Sequence, residues 1–254
     1  MPVPAPTVDE LVSTIARSSL PTIVVEGTSD VNVYRYLERR LARPGSVLPT
    51  NGRSKLLAVY ERRQEFPGVA TAFLADRDLW LFETIPTKYS DIVFTNGYSI
   101  ENDVFDGPAA VGLLDSDEQT TLGVILQELA KWFAHEVESH LAGGQAILEV
   151  SLNTLVPKHT ATLCELWKLQ RGFRDPSGGE IHTRVAAEPQ RYVRGKQVAQ
   201  LFARLLNAPG RSAKHSPAGL VEICATNPEH HSLERIAVAI DSALAAAVEK
   251  LRTA

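Results

Sequence analysis

The chain has few of the residues that define disulfide-stapled, metal-ribbon or membrane proteins. Only two of its 254 residues are cysteines, Cys164 and Cys224, and they lie far apart with no Cys-x-x-Cys spacing. This pattern argues against a disulfide scaffold or a zinc ribbon and is typical of a reducing cytoplasm. No apolar run approaches the roughly 20 residues that span a bilayer. The first residues also lack the basic start and apolar stretch of a signal peptide. We therefore expect a cytoplasmic protein that does not enter a membrane.

The motifs of several enzyme classes are missing as well. Gly27-Thr28-Ser29 is neither a Walker loop nor a Gly-x-Ser-x-Gly elbow, so we expect no ATPase activity from this chain. His135 and His140 flank a glutamate as in the zinc motif His-Glu-x-x-His, but one extra residue places them about 140° apart on a helix. An Asp-x-Asp phosphatase of the haloacid-dehalogenase type needs its aspartates on the first strand. The Asp76-Arg77-Asp78 segment follows the third predicted strand instead, which disfavours that class.

A short apolar run that ends in a carboxylate organises the chain. Ile23–Val25 is apolar at consecutive positions, which is typical of a buried strand. Glu26 follows at once, and Gly27 allows a tight turn into a helical pattern. Ligands of open α/β folds bind at the carboxyl ends of the strands. We therefore predict that Glu26 lies at such a mouth, with Asp30 one turn further along.

A second group of carboxylates follows another predicted strand, Val69–Ala75. Because residues i and i+2 of an extended chain point to the same side, we expect Asp76 and Asp78 to project together. If the strands are parallel, these side chains converge with Glu26 and Asp30 and repel one another unless a cation neutralises them. Carboxylate ligands without His or Cys favour Mg²⁺ or Mn²⁺ over Zn²⁺.

The order of the predicted elements indicates an α/β fold followed by helices. Ser46–Pro49 and Asp91–Thr95 are two further predicted strands, and helices separate the first three strands. A βαβαβ order implies a mainly parallel sheet flanked by helices. From Pro108 onward the apolar residues recur at helical spacing. We predict an α/β core over residues 1–107 and a helical region over residues 108–254, which is a second domain or a cap.

Charge is unevenly distributed along the chain, although the net charge is only −4. Residues 75–118 contain ten acidic and two basic side chains, and residues 171–214 contain nine basic and three acidic ones. An acidic metal site with a basic flank suits an enzyme that cleaves phosphodiesters. Two ordinary solvated surfaces of opposite sign are the alternative. The candidate nucleic-acid-binding residues, at a predicted helix start, are Arg191, Arg194 and Lys196. Another phosphate-contact candidate is Lys55, which opens a predicted helix, and a solvated lysine is the alternative there.

In their order along the chain, these motifs resemble the Toprim domain of topoisomerases, primases and related nucleases. A strand ending in Val25-Glu26-Gly27 is followed, after a second βα unit, by Asp76-Arg77-Asp78. The segment 95–102 (Thr-Asn-Gly-Tyr-Ser-Ile-Glu-Asn) is similar to the small bacterial Toprim proteins related to the OLD (overcoming lysogenisation defect) nucleases. The resemblance covers residues 20–105, with a weaker echo at Arg194-Gly195-Lys196.

This resemblance implies a Toprim-like fold and a nuclease, a hydrolase of phosphodiester bonds that depends on Mg²⁺ or Mn²⁺. It also tilts the interpretation of Glu101 toward a metal ligand rather than a residue that supports a helix start. The predicted metal ligands are Glu26, Asp30, Asp76, Asp78 and Glu101. The predicted catalytic residues are Glu26, Asp76, Asp78 and Lys55.

The resemblance also implies partners. Some members of that group work with an ABC-type ATPase in phage defence, so it implies an antiviral effector under the control of such an ATPase. Nucleic acid is the expected substrate, as DNA or as RNA including tRNA, and a homodimer is compatible with it. The alternative is a non-catalytic Toprim-like subunit that senses nucleic acid or binds a partner. The five filled acidic positions favour the active enzyme.

Overall fold

The computed structural model describes residues 5–27, 31–227 and 229–253. The strands are β1 (Thr22–Val25), β2 (Ser46–Pro49), β3 (Thr71–Ala75) and β4 (Val93–Phe94). The helices are α1 (Val8–Ala16), α2 (Val31–Glu38), α3 (Arg53–Glu61), α4 (Ile100–Phe105), α5 (Pro108–Val111), α6 (Ser116–Leu141), α7 (Leu152–Leu155), α8 (Glu165–Arg171), α9 (Glu180–Ala187), α10 (Pro189–Tyr192), α11 (Gly195–Leu206), α12 (Pro217–Ala225) and α13 (His231–Thr253). Short 3₁₀ helices cover Arg63–Glu65, Asp78–Leu81 and Thr87–Tyr89.

The four strands form one sheet in the order β2-β1-β3-β4, and every neighbouring pair is parallel. Strand β1 lies between two neighbours, with Val24 opposite Leu48 on one side and Phe73 on the other. All four residues of β1 are buried, which explains why this strand is apolar at consecutive positions. The predicted α/β class and parallel sheet are confirmed. Two strands are shorter than predicted, since β3 begins at Thr71 and β4 has two residues.

The chain divides into two compact units. Unit 1 comprises Met1–Arg77, Ile85–Thr95 and Pro228–Ala254, and it contains the sheet. Its last helix, α13, packs against β3, β4 and α2. The Asp241 carboxylate of α13 accepts the backbone N–H of Ala42 at 2.8 Å. The buried face of α13 consists of Ser232, Leu233, Ile236, Ala237, Ile240 and Leu244. The C-terminal helix therefore belongs to the core of the α/β unit.

Unit 2 comprises Asp78–Thr84 and Asn96–Asn227, and its described residues form helices and connecting segments. Helix α6 spans 26 residues and packs against α9, α10 and α11, while α11 also packs against α4 and α12. This division differs from the boundary predicted at residue 107. The segment 96–107 packs with the helices of unit 2, and α13 returns to the sheet because its apolar face is buried there.

A buried ion pair holds three segments of unit 2 together. The Glu136 side chain on α6 has no exposed surface, and the Arg171 guanidinium at the end of α8 binds it through two hydrogen bonds of 3.1 and 2.9 Å. The backbone N–H of Ile147 donates to the same carboxylate at 2.7 Å. Because both oxygens have donors, the desolvation of this carboxylate is offset.

Of the helices that the structure describes, none combines the length and the apolar character needed to cross a bilayer.

Replacing Glu136 by Gln should destabilise the protein by about 1–3 kcal/mol, because it removes the anion that the partly buried Arg171 guanidinium binds. Urea unfolding of the full chain measures the change. The matched control is Glu138→Gln on the same helix, which should change the free energy of unfolding by less than about 0.5 kcal/mol. Equal effects of the two substitutions would show that the ion pair contributes nothing specific.

Candidate functional site

The carboxyl ends of β1 and β3 bring two of the predicted acidic residues together. The strands are parallel neighbours with Val25 opposite Leu74, so both end at the same edge of the sheet. Glu26 directly follows β1 and Asp76 directly follows β3. The Glu26 carboxylate accepts the backbone N–H of Asp76 at 3.3 Å. A carboxylate from one strand thus reaches the first residue after the next strand.

The backbone at Glu26 is held by the loop that precedes α3. The N–H of Gly52 donates to the carbonyl of Glu26 at 2.8 Å, and the hydroxyl of the fully buried Thr50 donates to the carbonyl of Val25 at 3.0 Å. Gly52 has φ +121°, a conformation that favours glycine. This loop therefore joins the start of α3 to the end of β1.

A cation that the sequence analysis passed over lies at the same sheet edge. The Arg53 guanidinium, on the first residue of α3, donates to the backbone carbonyl of Arg77 at 3.5 Å. Lys55, the predicted phosphate contact, instead donates from its ammonium to the carbonyl of Pro6 at 2.6 Å. Positions two apart on a helix differ by about 200°, so Arg53 and Lys55 point in different directions. The spacing of two residues on a helix could have indicated from the sequence that Arg53 and Lys55 point to different sides.

The expectation that Asp76 and Asp78 project together from one extended strand is wrong. Strand β3 ends at Ala75, before either aspartate. Asp78 has φ +48° and begins the 3₁₀ helix Asp78–Leu81, and its N–H donates to the carbonyl of Tyr98 at 2.8 Å. Aspartate tolerates this left-handed conformation better than most residues. The alternation rule for strands therefore does not apply to this pair.

Within unit 2, the segment that includes Glu101 is tied to the chain around residue 190. Asn102 receives the backbone N–H of Ser99 at 3.0 Å, and its amide donates to the carbonyls of Gln190 at 2.6 Å and Val193 at 2.7 Å. Glu101 itself lies in the first turn of α4 and is 6% exposed. The predicted ligand Glu101 thus sits on a short helix whose start is fixed by hydrogen bonds.

Asp103 is a second acidic residue of α4 that the sequence analysis did not single out. It is 1% exposed, and its two oxygens accept the backbone N–H groups of Asn96 at 2.7 Å and Gly97 at 3.1 Å. A carboxylate that receives two backbone donors orders the segment that carries them. Asp103 therefore positions residues 96–97. No sequence motif with an aspartate six residues after a glycine would have indicated this role.

The three predicted nucleic-acid-binding residues have different surroundings in unit 2. Arg191 pairs with Glu188 at 3.2 Å, and Arg194 pairs with Glu149 at 3.3 Å. Lys196, on the first turn of α11, is exposed. A nucleic-acid phosphate would therefore compete with a carboxylate for Arg191 and for Arg194. The Lys196 side chain is exposed to solvent and could be approached from there.

Gly195 lies where α11 meets α4. A Cβ atom at this position would lie 2.3 Å from the Ser99 hydroxyl oxygen, 2.7 Å from Asn102 Oδ1 and 2.9 Å from Glu101 Cβ. Real Cβ atoms do not approach other atoms so closely, so the contact requires glycine. The start of α11 is thus packed directly on residues 99–102 at the start of α4.

The predicted metal ligands are distributed over both units of the chain. Glu26 and Asp76 meet in unit 1, Asp78 and Glu101 belong to unit 2, and Asp30 lies outside the described residues. Among the described residues, no group of three or more His, Cys, Asp or Glu side chains is placed to hold a metal ion. The carboxylate oxygens have the chemistry that Mg²⁺ and Mn²⁺ prefer.

Compared with models of known protein families and with curated proteins, the sequence matches none.

Gly195→Ala should destabilise the protein by about 1–3 kcal/mol, because the new methyl group overlaps Ser99 and Asn102. The matched control is Gly123→Ala on α6, where an added Cβ meets no described atom within 4 Å. Alanine is the better helix former, so the control should be stabilised by up to about 1 kcal/mol. Urea unfolding measures both changes. An unchanged free energy for Gly195→Ala would contradict the close packing of α11 on α4.

Proposed function

We propose that the chain is a divalent-metal-dependent nuclease of the Toprim type that hydrolyses phosphodiester bonds of nucleic acid. The observation that carries the proposal is the position of Glu26 and Asp76. Both directly follow neighbouring parallel strands, and the Glu26 carboxylate contacts the Asp76 backbone. Ligand sites of open α/β folds form at this edge. The resemblance of the motifs to the Toprim domain supplies the reaction class.

Electrostatics supports a cation at this edge. Two carboxylates that follow adjacent strands repel when both are ionised, and a nearby positive charge relieves that repulsion. Glu26 and Asp76 would hold Mg²⁺ or Mn²⁺, while the contributions of Asp30, Asp78 and Glu101 stay predictions from the sequence. When bound, such an ion supplies charge neutralisation at phosphate and a water of lowered pKa.

Arg53 is the residue that we propose for phosphate binding beside the two carboxylates. It occupies the first position of α3, where backbone N–H groups also favour anions. Its guanidinium lies at the backbone that follows β3, and a guanidinium can bind two phosphate oxygens at once. The sequence assigned this role to Lys55, whose ammonium binds the Pro6 carbonyl. Arg53 would therefore orient the phosphate and Lys55 would anchor the N-terminal segment.

The wider role follows from the resemblance alone. We propose an effector of antiviral defence controlled by an ABC-type ATPase partner, with DNA or RNA, tRNA included, as substrate. Arg191, Arg194 and Lys196 remain the proposed contacts to nucleic acid, and a homodimer remains compatible with the proposal.

A non-catalytic subunit that keeps the fold is the second candidate function. Such a subunit would bind nucleic acid or a partner without cleaving it. Metal binding and cleavage therefore separate the two candidates.

Asp76→Asn combined with Asp78→Asn should lower nuclease activity in Mg²⁺ by at least about 100-fold, the scale on which a lost electrostatic group acts in catalysis. In chelator the double variant should melt at or above the wild-type temperature, because the Asp76 side chain no longer repels the Glu26 carboxylate. Added Mn²⁺ should stabilise the wild type by mass action and leave the variant unchanged. The activity assay uses DNA, total RNA and tRNA, and thermal melting measures stability.

The control for that experiment is Glu61→Gln. Glu61 is an acidic residue of unit 1, as Asp76 is, and it pairs with Lys88 at 2.6 Å. It should keep both the activity and the Mn²⁺-induced stabilisation. A double variant that still cleaves nucleic acid in Mg²⁺ would end the nuclease proposal. Metal binding without any cleavage by the wild type would favour the non-catalytic subunit.

Arg53→Met should lower mainly the nuclease activity, and Lys55→Met should lower mainly the melting temperature. Arg53→Met removes the proposed phosphate contact, so it should lower nuclease activity by about 10-fold or more with little change in melting temperature. Lys55→Met removes the hydrogen bond to Pro6, so it should lower the melting temperature by about 2–4 °C, which corresponds to about 1 kcal/mol for a chain of this size. The reverse pattern would assign the phosphate contact to Lys55.

A further inference from the structure

Unit 2 contains a cavity of about 730 Å³ lined by residues of α6, α7, α11 and the segments that follow α7 and precede α12. This volume falls within the range of about 300–1,000 Å³ that is typical of small-molecule sites. Aliphatic side chains form part of the wall, among them Ile125, Leu152 and Leu205. Such a wall can pack against the organic part of a ligand.

The charged residues that line this cavity are basic. Lys158 and Arg204 line it together with His159 and His215, and no aspartate or glutamate is among its described lining residues. Positive groups in a concave, partly apolar site concentrate anions, because the low-dielectric walls focus the field. The cavity is therefore suited to a negatively charged ligand.

Arg204 is the group whose hydrogen bonding is incomplete. Its Nη2 donates to Asn153 Oδ1 at 2.9 Å and to the carbonyl of Val156 at 2.6 Å. Its Nε and Nη1 are buried and have no hydrogen-bond partner among the described residues. Two buried donors on one guanidinium are costly to leave unsatisfied.

The charge of Arg204 is also uncompensated. Burial lowers the pKa of the Arg204 guanidinium, and no charged neighbour in the described part of the chain offsets this effect. Arginine nevertheless keeps its charge at neutral pH. A desolvated charge without a counter-ion is unfavourable. An anion in the cavity, which Arg204 lines, would partly neutralise this charge.

The cavity is preformed by the chain. Gln200, Arg204 and Asn207 recur at spacings of four and three, so they share one face at the end of α11. Gln200 accepts the N–H of Leu152 at 2.7 Å. Asn207 exchanges two hydrogen bonds with the backbone of His215, at 2.7 and 2.8 Å. These polar side chains fix α7 and the segment before α12 to α11, so ligand binding requires little ordering of the wall.

We propose that this cavity binds a small organic phosphate, with the Arg204 guanidinium on the phosphate oxygens and Lys158 as the second positive group. Phosphate is favoured because two cations, Lys158 and Arg204, suit a dianion. The organic body packs on the aliphatic wall. None of these residues belongs to the proposed nuclease site, so this proposal does not depend on that function.

The test measures binding of AMP, ribose 5-phosphate, inorganic phosphate and citrate to the full chain by calorimetry and by thermal melting, in chelator and at constant ionic strength. AMP or ribose 5-phosphate should bind saturably and raise the melting temperature. Arg204→Met should weaken that binding by at least about tenfold. Without ligand, the same variant should melt below the wild-type temperature, because it loses the two Nη2 hydrogen bonds to Asn153 and Val156.

Two further variants keep the test decisive. Lys158 is exposed, so Lys158→Met should fold normally and weaken binding by a measurable factor even if Arg204→Met does not fold. Arg252→Met, which removes an exposed arginine of α13, should bind the phosphates as the wild type does.

Three results would overturn the proposal. The first is no saturable binding of AMP, ribose 5-phosphate or inorganic phosphate up to millimolar concentrations. The second is binding that Lys158→Met and Arg204→Met leave unchanged and that Arg53→Met abolishes, which would assign the phosphate to the sheet edge. The third is binding of citrate without binding of any phosphate, which would show that the ligand class is wrong.

Discussion

The parallel pairing of β1 with β3 is the constraint on which the α/β unit depends. It sets Val25 opposite Leu74, so that both strands end at one edge and the Glu26 carboxylate meets the Asp76 N–H. A parallel pair needs a crossover between its strands, and the chain places α2, β2 and α3 in that connection. The burial of all four β1 residues makes this strand the centre of the core. The loop before α3 then attaches to the end of β1 through Thr50 and Gly52. The same ladder that stabilises the sheet therefore also positions the acidic pair and Arg53.

Three charged side chains of unit 2 differ in the hydrogen-bond partners that the structure gives them. Glu136 has both an arginine partner and a backbone donor. Asp103 has two backbone donors from the segment 96–97. Arg204 has oxygen acceptors for Nη2 alone, and its Nε and Nη1 remain without partners among the described residues. The first two side chains are explained by the structure that they hold together. The third differs because it lines a cavity together with another cation, Lys158. That contrast is the physical reason for treating Arg204 as a binding residue.

The sequence predictions failed where side-chain direction depended on a local change in the backbone. Asp76 and Asp78 follow an apolar strand, so the period of two residues was applied to both. The strand ends at Ala75, however, and Asp78 adopts a positive φ. The predicted phosphate contact at the start of α3 is Lys55. The residue that begins this helix is Arg53. The helix turns by about 200° between these positions. In both cases the residue type indicated the chemistry correctly. The direction of the side chain depended on the residue at which the strand ended or the helix began.

The amino-acid sequence by itself determined the fold class, the parallel sheet and the acidic residues at its carboxyl edge. It could do so because consecutive apolar residues, helical spacing and strand-terminal carboxylates are local patterns that depend on near neighbours alone. Only the tertiary structure decided that Gly195 touches Ser99 and Asn102, that α13 returns to the sheet, and that Arg53 rather than Lys55 lies beside the end of β3. It alone revealed the cavity around Arg204. These features join residues that lie far apart in the chain, and the burial and hydrogen bonding that define them exist only once the helices have packed.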